Sequence, residues 1–367
     1  MSDPLSYVRY SDSVEQKQPN EDETVAEILS VFDKIRVAAF EKTRHAQRDA
    51  HAKSHGILRG ELTILENLPE PFAQGIARTP RTYPVIVRVS TAPGSIQPDG
   101  VSGFRGLAIK LVGVEGKKVL EVDPDALTQD FLFINNPVLP TGDVAAYLKE
   151  QTLLQKMSEA PDIVQEGLTA VARTVTRVAD AVGLHPPKDA SGTNSPEYHP
   201  LGVTYQTGAP IRWGDYMARV AVVPSSYSLQ PLKDSVVNTV GNPSALRDAV
   251  VEFFHTHSAE WDFKIQLNTN LETMPIEDVS VNWPEEESPH VTIAKLTIPA
   301  QEAFSPARRV YADDTLTFNP WHALPEHRPL GSIQRSRKAA YEVSTQYRHK
   351  MNAAPLKEPT SIDELPD

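Results

Sequence analysis

Val85-Ile86-Val87-Arg88-Val89-Ser90 reads as a β-strand with two unlike faces. Successive side chains of a strand point to opposite sides, so Val85, Val87 and Val89 share one apolar face and Ile86, Arg88 and Ser90 the other. The first face suits a packed interior. The second suits solvent or a polar pocket, where Arg88 meets a carboxylate bidentately and Ser90 hydrogen-bonds an imidazole. Working outward, the period of two recurs in Leu58, Gly60, Leu62 and Ile64, in Leu107, Ile109 and Leu111, and in Phe131 and Phe133. It returns from Met217 to Val223, in Trp261, Phe263, Ile265 and Leu267, and from Val291 to Ile298. Many strands joined by Pro- and Gly-bearing loops predict an antiparallel barrel or a large curved sheet rather than a parallel α/β layout.

Helical spacing marks three other stretches. Val25, Ile28, Leu29, Phe32, Ile35 and Ala39 predict a helix from Thr24 to Phe40, with Thr24 and Glu27 as a capping box. A helical insertion is expected over about 143–182, from Val144, Tyr147 and Leu148 through Val164, Leu168, Val171, Val175 and Val178. A last helix is expected over about 332–352. The fold class is therefore α+β, with flanking helices and wrapping loops around a barrel. Residues 21–352 are expected to form a single domain, with 1–20 and 353–367 as flexible polar arms. Residues 183–200 and 300–330 have long-loop composition.

Composition narrows the function. The chain has 367 residues, 31 prolines and no cysteine, which excludes disulfides, thiolate metal sites and cysteine nucleophiles. A formal charge of -12 argues against nucleic-acid binding. The absence of a membrane-length apolar run and the polar start lead us to expect a soluble cytoplasmic protein with no membrane span. No P-loop, dinucleotide-binding glycine pattern or nucleophile elbow occurs.

Two short segments near opposite ends of the sequence carry chemistry. Arg48-Asp49-Ala50-His51-Ala52-Lys53 offers a histidine, whose ordinary pKa near 6.5 lets it take and return a proton. His45 and His55 flank it, but with Asp49 the only nearby carboxylate a metal cluster is poorly supported. Arg337-Lys338-Ala339-Ala340-Tyr341 sets a guanidinium one helical turn from a phenol. At about 100° per residue, Arg337, Tyr341 and Arg348 lie within about 40° of one another on one helix face. A tyrosine can ligate iron at neutral pH when the metal and a nearby cation favour its phenolate. Tyr311, preceded by Arg308, is a rival, but Asp313 and Asp314 make its setting an acidic loop. His255 and His257 stand two apart and do not face each other.

Four stretches, in order, resemble the catalase superfamily in its shorter, catalase-related branch. They are Arg48-x-x-His51-Ala52-Lys53, Val87-Arg88-Val89-Ser90-Thr91, Arg105-Gly106-Leu107-Ala108-Ile109-Lys110, and Arg337-x-x-x-Tyr341 with Arg348. Phe131-Leu132-Phe133-Ile134 and Ala303-Phe304-Ser305-Pro306 support it, so the resemblance covers most of the chain. It implies a barrel core and one buried haem b, iron protoporphyrin IX. His51 would be the distal acid/base, Ser90 its hydrogen-bond partner and Tyr341 the axial iron ligand. Arg337 would be the charge partner of Tyr341, with Arg48, Arg88 and Arg348 on the propionates. It further implies a homo-oligomer.

The chain departs from the family at three points. Thr128 takes the register of the distal asparagine, and we expect it in the catalytic group. The stretch 135–143 lacks the phenylalanine that packs on the haem, and Ala50 replaces a bulkier valine. The family's large C-terminal domains and bound nicotinamide are not expected. The expected activity is a haem-dependent peroxidase that uses hydrogen peroxide or organic hydroperoxides on a small organic or lipid-like donor, with weak catalase activity. The alternatives are a fatty-acid hydroperoxide isomerase or lyase of the allene oxide synthase kind, and a non-enzymatic barrel binding an apolar ligand.

Overall fold

The alternating segments close into a barrel in the computed structural model, which describes residues 6–158 and 196–367. The strands are β1 (Lys53–Ile64), β2 (Thr82–Thr91), β3 (Arg105–Val112), β4 (Thr128–Ile134), β5 (Tyr205–Gln206), β6 (Ile211–Trp213), β7 (Tyr216–Pro224), β8 (Ala259–Leu267) and β9 (Val291–Ile298). Neighbours pair antiparallel in the order β5-β4-β3-β2-β1-β9-β8-β7, and β5 pairs with β7 to close a ring that leaves β6 outside on β7. Closure removes the exposed edges that an open sheet would present.

Alternation decides which side chains fill the ring. Leu58, Leu62, Val85, Val87, Val89, Leu107, Ile109, Leu111, Phe131, Phe133, Phe263 and Ile265 all belong to one buried core. A void among Leu58, Val87, Leu107, Tyr205 and Trp261 amounts to about 10 Å³, room for one water at most. The barrel is packed solid.

Around it lie α1 (Glu21–Thr43), α2 (Val144–Ser158), α3 (Ala245–Thr256), a five-residue α4 (Pro306–Val310) and α5 (Ser332–Met351). α1, α2 and α5 pack through Ile28, Phe32, Val144 and Ala340. The predicted capping box does not form. Helix α1 starts three residues earlier, after Asn20, so Thr24 sits inside the first turn with its hydroxyl on Asn20 O at 3.0 Å. Of the expected insertion over 143–182, α2 is helical as read; 159–182, like most of the loop expected over 183–200, lies outside the described residues.

The two expected arms are tied down over their described lengths. Tyr7 packs edge-on against Phe72 with ring centroids 5.7 Å apart, and Glu15 accepts from Gly331 N and Arg335 at 2.9 Å, bracing the start of α5. At the other end Leu365 is fully buried with Ile57, Ile86, Leu316 and Phe318 on the outer wall of β1 and β2. Apolar residues scattered without period escaped the sequence reading, because their partners lie far away in the chain.

Candidate active site

Helix α5 supplies the first half of the site. Its i, i+4 geometry brings Arg337 Nη2 to 2.9 Å from Tyr341 Oη, to which it donates, while Nη1 donates to Gln334 Oε1 at 3.0 Å. The guanidinium is thus aimed at the phenol from one turn away.

The turn before β1 supplies the second half. His51 takes a left-handed backbone conformation, φ 56°, unusual for a non-glycine residue and found at functional sites. Two bonds hold it there: His51 N donates to Ala92 O at 2.8 Å, and Arg88 Nη2 donates to His51 O at 2.7 Å. Its Nδ1 lies 3.1 Å from Ser90 Oγ, whose hydroxyl also reaches Gly106 O at 3.5 Å. With the hydroxyl hydrogen on that carbonyl, Nδ1–H donates to Ser90 and Nε2 is left as the basic nitrogen. Nε2 makes no hydrogen bond among the described residues.

Gly106 is required here. A Cβ on it would come within 2.3 Å of His51 Nδ1 and 2.7 Å of Ser90 Oγ, so only glycine lets β3 approach the ring.

Burial and the nearby cations Arg88, Arg337 and Arg48 push the His51 pKa down to about 3. It is therefore a neutral base throughout the physiological range. The same electrostatics place the two halves together, since His51 feels the charge of Arg337 and Arg48 feels Tyr341.

Three arginines line the third side. Arg48 Nη2 donates to Leu316 O at 2.7 Å and to Ala312 O at 2.5 Å, and Arg348 Nη1 donates to Asp314 O at 2.9 Å and to Asp313 O. Arg48, Arg88 and Arg348 are all held below the ordinary arginine range by burial, with repulsion from Arg48 adding to it at Arg88 and Arg348, and Arg88 falls to about 9. Among the described residues the one carboxylate hydrogen-bonded to Arg48 and Arg88 is Asp313, and the buried Arg88 Nε has no partner. Buried positive charge here exceeds the carboxylate charge hydrogen-bonded to it, an arrangement that costs free energy unless further negative charge is supplied.

The sequence expectations separate cleanly against this geometry. His51, Ser90, Arg48, Arg88, Arg337, Tyr341 and Arg348 come together. Thr128 does not, and its expected place beside His51 is corrected. Through β3, Ser90 is level with Ile134 of β4, whereas Thr128 stands six residues away on that strand, about 20 Å. Its hydroxyl bonds His322 Nε2 at 2.7 Å and Glu358 Oε2 at 2.8 Å. Counting back from the Phe-Leu-Phe motif gave a register, but the side chain it chose belongs to another buried network.

Tyr311 packs in the apolar layer that also holds Ile57 and Leu365, where burial pushes its pKa up to about 12; it is no rival to Tyr341. His45 pairs with Asp314 at 2.7 Å and His55 is buried against Thr91. Among the described residues no cluster of three or more His, Asp or Glu can hold a metal ion directly. Sequence reasoning missed Asp313 and Gln334, and it quoted Gly106 only as part of a motif. Gly106 was the most findable, being the one small residue at a position facing Ser90.

No protein-family model matches the chain, and no curated protein matches its sequence. Solved structures do match. A fungal catalase superimposes with a TM-score of 0.59 at 16% identity, covering 100% of this chain and 72% of its own. Catalase A from Saccharomyces cerevisiae gives 0.58 at 14%, covering 100% and 75%, and a bacterial catalase gives 0.58 at 14%, covering 98% and 68%. The fold is that of catalases.

Proposed function

We propose that this protein is a haem-dependent peroxidase built on the catalase fold, using hydrogen peroxide or an organic hydroperoxide to oxidise a small organic donor, with weak catalase activity besides. One observation carries the reading: a guanidinium-backed phenol and a neutral imidazole with a bare Nε2 share one site with three under-compensated arginines. The donor set fits a haem. Tyr341 would ligate the iron, Arg337 would donate its hydrogen bond to the ligating oxygen, and Arg48, Arg88 and Arg348 would hold the propionates. When bound, haem supplies an iron that polarises the peroxide and takes up its oxidising equivalents.

The chain's own residues do the rest. Nε2 of His51 accepts the proton from one peroxide oxygen and delivers it to the other, so the leaving group departs as water or an alcohol. Ser90 and the Arg88 bond to His51 O keep the ring from turning away. Because the ring stays neutral, no proton has to be shed before it can act. A carrier of apolar ligands would need neither pair, and the packed barrel interior offers such a ligand no room.

A second reading rests on Ala50, which is small and exposed beside His51 and leaves space for a bulky hydroperoxide. In it the protein isomerises a lipid hydroperoxide without an external donor. The deciding experiment is an absorption spectrum of haem-loaded protein before and after peroxide, with and without an organic donor. The peroxidase reading expects a Soret band, a peroxide-induced shift and reversal by the donor. No Soret band after haem loading would end it, and consumption of a lipid hydroperoxide with no donor would favour the second.

A further inference from the structure

The carboxylate of Asp313 sits where the arginines of the site converge, yet it is weakly engaged. A single oxygen, Oδ1, is shared by Arg48 Nη1 at 3.2 Å, Arg88 Nη2 at 3.4 Å and Ser54 Oγ at 3.0 Å. Charge-assisted bonds of this kind normally run at about 2.7–2.9 Å. Its second oxygen makes no hydrogen bond among the described residues. The neighbouring Asp314 behaves differently: its carboxylate is hydrogen-bonded by His45 at 2.7 Å and Asn352 at 3.0 Å, and it acts on Arg48 and Arg348 through charge alone. Asp313 lies on the turn Tyr311–Thr315, whose carbonyls already receive Arg48 and Arg348. Asp313 thus occupies, by direct contact, N–H groups of Arg48 and Arg88 that a dicarboxylate would otherwise have to itself.

We propose that Asp313 sets the affinity and charge selectivity of the porphyrin site, acting as a resident carboxylate that competes with the propionates for the N–H groups of Arg48 and Arg88. The inference rests on the haem reading above. A dianionic porphyrin would have to share those donors with a like charge or displace it, and like charges side by side oppose binding. A porphyrin whose propionates are esterified carries no such charge and would not compete.

The test is an absorption titration of wild type, Asp313→Asn and, as a control on the same turn, Asp314→Asn, each with haem and with haem dimethyl ester. Thermal unfolding without porphyrin is recorded in parallel. Asp313→Asn should bind haem about tenfold tighter, bind the ester within about twofold of wild type, and unfold at lower temperature without porphyrin. Asp314→Asn, which leaves the hydrogen bonds of Arg48 and Arg88 untouched, should tighten haem binding by less than about twofold. Unchanged or weaker haem binding by Asp313→Asn, or equal tightening for haem and ester, would overturn the proposal while leaving the haem reading intact. If wild type and variant both fail to take up haem, both readings fall. Should Asp313→Asn not fold, Asp313→Ser replaces it; failure of both to fold assigns Asp313 to the scaffold and ends the proposal.

Discussion

Two buried polar clusters lie on the outer face of the same strands and differ in one respect. Near the start of β3, at Gly106, stand His51, Ser90, Arg88, Arg48 and Arg348, where three arginines lie near Asp313. Four residues along the same strand, Lys110 forms an ion pair with Asp130 Oδ1 at 2.7 Å and donates to Glu358 Oε2 at 2.6 Å. Thr128 and Thr317 donate to Glu358 at 2.8 and 2.6 Å, and Asn319 N donates to Asp130 Oδ2 at 2.9 Å. The second cluster is complete in charge, with Lys110 set against both carboxylates, and it locks the segment around Glu358 to the barrel wall. The first is incomplete in charge, with three arginines near the one carboxylate that Arg48 and Arg88 share, and unbalanced buried charge marks a place for something else to bind. Burial does not separate the two, nor do orphaned atoms, since Arg88 Nε and Asp130 Oδ1 give each cluster one; the balance of charge does.

The largest way to break this contrast is at the incomplete cluster. Tyr341→Phe should weaken haem retention at least ~100-fold, read from the Soret band after desalting, since even residues behind a ligand cost 10–100-fold. Full retention with an unchanged spectrum would remove Tyr341 from the role.

His51→Ala should keep the haem and lose roughly 10²–10⁴-fold in the rate of peroxide cleavage, measured by stopped-flow absorbance. That rate should also be flat from about pH 5 to pH 8 in the wild type. His51 is held down near 3, so it does not titrate in that range; a step near pH 6.5 would show an ordinary histidine.

At the complete cluster the effect should fall on stability. Lys110→Met strands two buried carboxylates and should cost about 3–5 kcal/mol in denaturant unfolding, with the haem spectrum of the folded fraction unaltered. A spectral change would mean the two clusters are not separate in function.

The smallest effect is a slope. Burial, with the negative charge of Glu358, outweighs Lys110 and pushes the Asp130 carboxyl up to about 7 from an ordinary 3.8. A folded pKa above the unfolded one gives stability that is full below the ordinary value and lost as pH rises to about 7. Glu358, held down to about 2 chiefly by Lys110 against the opposing effect of burial, gives the opposite edge, lost as pH falls from 4.5 toward 2. Asp130→Asn should therefore flatten the loss of stability between about pH 4 and pH 7 and leave the acid limb in place. An unchanged slope would assign it to other groups.

Much of this was legible in the residues. The alternation in Val85 to Ser90 separated the core face from the site face correctly, and seven of the nine strands carried the same signal. Arg337 and Tyr341 were legible because a helix brings i and i+4 together whatever surrounds it. The short β5 and β6, two and three residues long, hold too little pattern to be read. Thr128 misled because a motif fixes distance along a strand but not which end of the sheet reaches the site. Asp313 was visible only as part of an acidic loop, since nothing in its neighbours foretells three donors arriving from β1, β2 and the turn before them.

The sequence by itself determined the local elements, the two faces of each strand, and the chemistry available at His51 and at Arg337 with Tyr341. These follow from backbone periodicity and from residues within a turn or two of one another. Only the tertiary structure decided that the strands close through β5 and β7, that the terminal segments pack against the body, and that Arg48, Arg88 and Arg348 crowd around a single carboxylate. Those outcomes depend on contacts between residues far apart in the chain, whose energies are set by the packing of the whole molecule.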